Sequence, residues 1–142
     1  MKEIIMISLI PAVKDLKINE GKLQKKALSF DANNVSARLA KALAKLPVSD
    51  DGANLYITYG VGKGEGYVLK IAEDSVTINA GTEAGAFYAI QTLRQIFENE
   101  EIPCLEIHDK PDFEYRGFYH DVTRGKVATV ETLKGLIDTM AY

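Results

Sequence analysis

The segment "GYVLKIAEDSVTINAGTEAGAFYAIQTLRQIFE", Gly66 to Glu98, leaves this chain few choices of fold. Tyr67, Leu69 and Ile71 alternate before the turn "EDS", and Val76 and Ile78 alternate after it, which predicts a hairpin with one apolar face. Directly behind it, Ala86, Ile90, Leu93 and Phe97 recur at helical spacing, with Thr82 placed to cap the helix and Glu83 in its first turn. A sheet that is apolar on one face and a helix that is apolar on one side must cover each other.

The rest of the first 110 residues fits around that unit. "IIMISLIPAV", "DLKINE" and "ALSFD" read as extended, separated by Pro11 and by the turn "NEGK". Seven apolar or small residues follow Lys2, but Glu3 spoils a basic leader and Pro11 follows closely, so a strand is expected there rather than a signal peptide. In "NNVSARLAKALAKLP", Val35, Leu39, Leu43 and Leu46 predict a helix over 34–46, capped by Asn33 or Asn34 and ended by Pro47. "LYITY" and "PCLEIHD" complete the strands. The expected fold class is α+β, one sheet with two helices, 34–46 and 83–97, packed on one face.

Composition excludes several function classes. A net charge of −3 and scattered lysines give no footprint for nucleic acid. Nothing approaches the length of a membrane span. Cys104 is single and lies in the apolar run "IPCLEI", so it reads as a small buried hydrophobe rather than a reactive thiol. "YGVGKGEGY" carries four alternating glycines, but a phosphate loop needs a helix after them, and "YVLKIA" is a strand by its alternation. His108 and His120 do not form a metal set, no Gly-x-Ser-x-Gly elbow is present, and no cofactor is expected. Asp50–Asp51, Glu73–Asp74 and Glu100–Glu101 fall in loops or turns and read as solvated charge.

"HDKPDFE", with Pro111 inside it, reads as a linker. Past it the pattern restarts with a strand "EYRGFYHDV", a loop "TRGKVA" and a helix "TVETLKGLIDTMAY". Thr129 can cap that helix, and Leu133, Leu136, Ile137 and Met140 form an apolar stripe with no stop signal before Tyr142. Such a strand and helix have no sheet of their own, so the sequence is expected to be cut, with self-association through 130–142 as one consequence. Arg116, flanked by Tyr115, Gly117, Phe118 and Tyr119, carries a charge that is costly to bury without partners. Two accounts stand side by side: it pairs with an acid elsewhere, or its planar fork binds neighbouring hydroxyls or a carboxylate of a ligand.

The run "YRGFYHDVTRG" followed by "VETLKGLIDTMAY" resembles the opening of the catalytic barrel of glycoside hydrolase family 20, the β-N-acetylhexosaminidases. Arg116, Gly117, Asp121 and Arg124 fit the family pattern, and the hairpin and helix upstream resemble the end of that family's non-catalytic α/β domain. The resemblance implies a domain over 1–110 and, over 111–142, the first strand and helix of a truncated (β/α)8 barrel, a fold of about 250 residues. It implies that Arg116 binds ring hydroxyls of a terminal N-acetylhexosamine, with Asp121 and Arg124 structural. His120 stands where the family often has an apolar residue. The family employs the substrate's acetamido oxygen as nucleophile and an adjacent Asp-Glu pair, a departure from the usual two-carboxylate scheme. No Asp-Glu dipeptide occurs in these 142 residues, so the catalytic pair is expected beyond Tyr142 and the piece alone is expected to be inactive.

Two other readings remain open at this stage. One is a glycosidase of the same layout but another specificity, α-glucuronidase-like or O-GlcNAcase-like. The other is a self-contained binding module whose last helix docks on a partner.

Overall fold

The computed structural model describes residues 7–60 and 62–142. It divides into two compact units, Met1–Pro111 and Asp112–Tyr142.

The first unit is a mixed five-stranded sheet with helices. In chain order it holds β1 (Asp15–Lys22), α1 (Ala37–Leu43), β2 (Leu55–Thr58), β3 (Tyr67–Ile71), β4 (Val76–Ala80), α2 (Glu83–Ile96) and β5 (Pro103–Asp109). The strand order is β1-β5-β3-β4-β2. β2 runs parallel to β4, and the other neighbours are antiparallel. Register aligns the inward residues into two apolar rows across the sheet. One row is Leu16, Ile107, Leu69, Ile78 and Ile57; the other is Ile18, Leu105, Ile71, Val76 and Leu55. α2 lies on β3 and β4, and α1 packs on α2. Ala86, Ala89, Ile90, Leu93 and Ile96 of α2 are buried against these rows, and Leu39, Ala42 and Leu43 of α1 are buried in the same core. Each such buried large aliphatic contributes roughly 1.5–3 kcal/mol. Edge strand β1 lies beyond this cover, and Leu16 and Ile18 stay 38% and 45% exposed.

The hairpin, the strands at 55–58 and 103–109, β1 and α2 with its Thr82 cap stand where the sequence places them; the Thr82 side chain accepts from the amide of Gly85. Four expectations need correction. Residues 1–6, which include the start of the expected N-terminal strand, lie outside the described residues, and 7–13 form no strand. Ile7, Leu9 and Val13 instead pack against the core as partly buried side chains, so their alternation reflects burial and not a ladder. "ALSFD" makes only an isolated bridge, Leu28 to Val48. There the Leu28 amide donates to Pro47 O at 2.7 Å and the Ser29 amide to Asn54 Oδ1 at 2.8 Å, which replaces strand pairing. α1 is shorter than expected: Asp31 caps a 3-10 turn over Ala32–Asn34, and Ser36, not Asn33 or Asn34, caps the α-helix. After Leu43 the chain tightens into i→i−3 bonds, Lys45 N to Ala42 O and Leu46 N to Leu43 O, before Pro47.

The fourth correction falls in the second unit. Residues 114–122 form no strand; the one regular element of 112–142 is helix α3, Val130–Ala141, capped by Thr129. A strand needs a paired neighbour for its backbone groups, and nothing in 112–142 supplies one. Of the expected strand and helix, only the helix is present in this unit.

Candidate functional site

Arg116 lies in the exposed, irregular run that precedes α3. Its guanidinium turns back on its own segment, with Nη1 donating to the carbonyl oxygens of Phe113 and, at 3.4 Å, Glu114. Asp121 closes a local turn, its Oδ1 accepting from the Thr123 amide at 2.7 Å and the Thr123 hydroxyl at 2.6 Å. Those two bonds favour the ionised form and hold the Asp121 carboxyl below the usual carboxylate range. Arg124 is exposed one residue before Gly125, whose φ of 75° lies in the left-handed region where the run turns towards α3. His120 is exposed, its ring 6.2 Å from that of Phe118. Arg116 and Asp121 thus each engage their own sequence neighbours. What the segment offers chemically is a planar, permanently charged donor fork on exposed backbone, flanked by Tyr115 and Tyr119, which are 86% and 90% exposed.

The first unit carries polar chemistry of its own. A shallow groove of about 560 Å³ opens at one end of the sheet between Lys14, Asp15, Asn79, His108, Asp109 and Lys110. Asp109 Oδ1 accepts from the Lys14 amide at 3.2 Å, and its Oδ2 accepts from the Tyr67 hydroxyl at 3.3 Å. The Tyr67 hydroxyl also lies 2.7 Å from Thr92 Oγ1. Sequence reasoning counted Tyr67 only as a core residue. The available signal was chemical: a Tyr in an inward apolar row must find a partner for its hydroxyl. On the outer face, Glu106 accepts from His108 Nε2 at 2.6 Å and Lys70 Nζ at 3.3 Å, and both lower its pKa.

The glycine-rich loop packs its backbone against Gly81 and Gly85. A Cβ on Gly81 would stand 2.8 Å from Gly64 O, and one on Gly85 would stand 2.8 Å from Gly66 O. The loop's carbonyl oxygens thereby lie against the first turn of α2, where a phosphate-binding loop would present amides. Among the described residues no group of three or more His, Cys, Asp or Glu could hold a metal ion. No described helix is long and apolar enough to cross a membrane. Cys104 is buried, and burial raises its thiol pKa.

The family model described as "Glycosyl hydrolase family 20, domain 2" matches residues 6–110. The chain belongs to glycosyl hydrolase family 20. Among similar proteins, the β-hexosaminidase of Porphyromonas gingivalis is 40% identical over 90 residues, covering 56% of this chain and 12% of that protein. The N,N'-diacetylchitobiase of Vibrio harveyi is 33% identical over 99 residues, covering 68% of this chain and 11% of that protein. A solved glycoside hydrolase family 20 β-N-acetylglucosaminidase superposes with a TM-score of 0.71 at 30% identity, covering 94% of this chain and 28% of that one. The match therefore spans only about an eighth of the length of these two relatives.

Proposed function

We propose that these 142 residues belong to a longer β-N-acetylhexosaminidase that removes terminal N-acetylhexosamine by substrate-assisted, retaining hydrolysis. In this reading residues 1–110 are the non-catalytic α/β domain and 111–142 open the catalytic barrel. The observation that carries it is an order: the family 20 match ends at residue 110, and Arg116, Gly117, Asp121 and Arg124 follow at the spacing that opens this family's barrel. Similarity to a β-hexosaminidase and a chitobiase supports the substrate class. Arg116 is the substrate-binding residue, its fork bonding two ring hydroxyls of the terminal sugar. Asp121 and Arg124 shape the loop. The Asp-Glu pair that orients the acetamido group and protonates the leaving oxygen lies outside these residues, since no Asp-Glu dipeptide occurs among them. The test is release of the aryl group from an aryl N-acetyl-β-glucosaminide. The complete protein is expected to turn it over and the 142-residue chain is not; turnover that co-purifies with the short chain contradicts the reading.

A further inference from the structure

The chain carries a net charge of −3, yet α1 is basic. Its seven residues include Arg38 and Lys41 and no acid, and Lys45 follows one turn later. Spacings of three and four residues set these cations along one side. With Phe87 and Gln91 of α2 they line a groove of about 390 Å³ between the two helices, a size within the roughly 300–1,000 Å³ of small-molecule sites. No acidic residue lines the groove among the described residues. Glu83, one turn ahead of Phe87, is engaged by the Ser36 hydroxyl. Neither Arg38 nor Lys41 has a hydrogen-bond or ion-pair partner among the described residues.

Exposed cations alone are a solvated helix face. Gln91 is different, because it is only 6% exposed and still lines the groove. Its Oε1 accepts from Arg94 Nη1, which leaves Nε2 turned towards the groove with no acceptor among the described residues. A buried amide donor without an acceptor is costly. Every polar side chain facing this space is therefore a donor, and what the groove lacks is an acceptor. Water can accept from Nε2, but the cations beside it favour an oxyanion over water. The half-buried Phe87 adds an apolar wall for the body that carries the oxyanion.

We propose that this groove binds a sugar ring bearing a carboxylate or a sulfate. The oxyanion sits among Arg38, Lys41 and Gln91 Nε2, and the ring lies against Phe87. The charge follows from the groove's donors; the choice of a sugar rests on the functional reading above.

The experiment follows the Gln91 side-chain amide by NMR in the 142-residue chain during titration with sodium glucuronate and with N-acetylglucosamine 6-sulfate. Neutral N-acetylglucosamine and sodium sulfate at matched ionic strength are the controls. At least one acidic sugar is expected to give a saturable shift with a midpoint of about 1 mM, and which one does so assigns the oxyanion. Gln91→Glu keeps an acceptor for Arg94 and replaces the donor with a negative charge, so binding is expected to weaken at least tenfold. Arg38→Ala with Lys41→Ala is expected to do the same, and decides alone if Gln91→Glu fails to fold. No saturable shift with either acidic sugar, or equal binding of the neutral sugar, overturns the proposal. Sodium sulfate binding as tightly as the acidic sugars would mean an adventitious ion only, and overturns it too. So does a complete protein that fails to bind what the short chain binds, since the groove would then be covered. A complete protein that binds acidic sugars but leaves an aryl N-acetyl-β-glucosaminide intact overturns the functional reading and not this site.

Discussion

Ser36 Oγ donates to Glu83 Oε1 at 2.5 Å, joining the start of α1 to the first turn of α2. The same oxygen accepts from the Leu39 amide and caps α1. Ser36→Ala removes both bonds from a seven-residue helix that cannot stand without packing and a cap. It is expected to destabilise the domain by about 1–2 kcal/mol in denaturant titration, whereas Ser36→Asp, which can cap but places a carboxylate against Glu83, should recover only part of the loss.

Gly85 opposes local propensity with packing. Ala is the better helix former by about 1 kcal/mol, yet its Cβ here would meet the carbonyl oxygens of Gly66 and Glu65 at 2.8 and 2.9 Å. Both atoms are backbone and cannot swing aside. Gly85→Ala is expected to lower stability by about 1–3 kcal/mol, which differential scanning calorimetry would read as a lower Tm. A raised Tm would show that the loop yields freely.

Tyr67 ties stability to alkaline pH. Burial raises its pKa above the ordinary 10.0, Thr92 pulls it back somewhat, and the Asp109 charge raises it further. Since the folded pKa exceeds the unfolded one, this contribution is complete below pH 10.0 and is lost as pH rises beyond it, where the unfolded chain ionises first. Unfolding midpoints are expected to fall between about pH 9 and about pH 11, and to fall less steeply in Tyr67→Phe. Equal slopes in the two proteins would assign the effect to other groups.

Helix α3 leaves Ile137 and Met140 59% and 52% exposed, with Leu133 and Leu136 half-buried beside them. Apolar stripes of this kind drive association. The 142-residue chain is expected to self-associate in sedimentation velocity at micromolar concentration, and Ile137→Glu with Met140→Glu to return it to monomer. A wild-type chain that stays monomeric would contradict this.

What was legible in the sequence follows from how local each signal is. The β3–β4 hairpin and α2 announce themselves because period-2 alternation, a tight turn and a Thr cap lie within a few residues of what they determine. Ser36 was missed as the cap because Asn33 and Asn34 are equally good capping residues, and only the Asp31-capped 3-10 turn that takes them up displaces the helix start. "ALSFD" and 114–122 have strand composition, but strand formation is decided by a partner elsewhere in the chain. Arg116 was singled out by an unusual charge in an aromatic run. The Tyr67–Asp109 hydrogen bond was not, since its members stand 42 positions apart and each looks ordinary alone.

Arg116 carries the account, and the complete protein is where to test it. A charge-assisted bond to substrate hydroxyls contributes about 1.5–3 kcal/mol, so Arg116→Ala is expected to lower kcat/KM for an aryl N-acetyl-β-glucosaminide at least tenfold. Arg116→Lys should recover little, because an ammonium cannot reproduce the planar fork, and Arg124→Ala should lose less than Arg116→Ala. A folded Arg116→Ala protein that hydrolyses the substrate at the wild-type rate would contradict the assignment and leave Arg116 a structural residue.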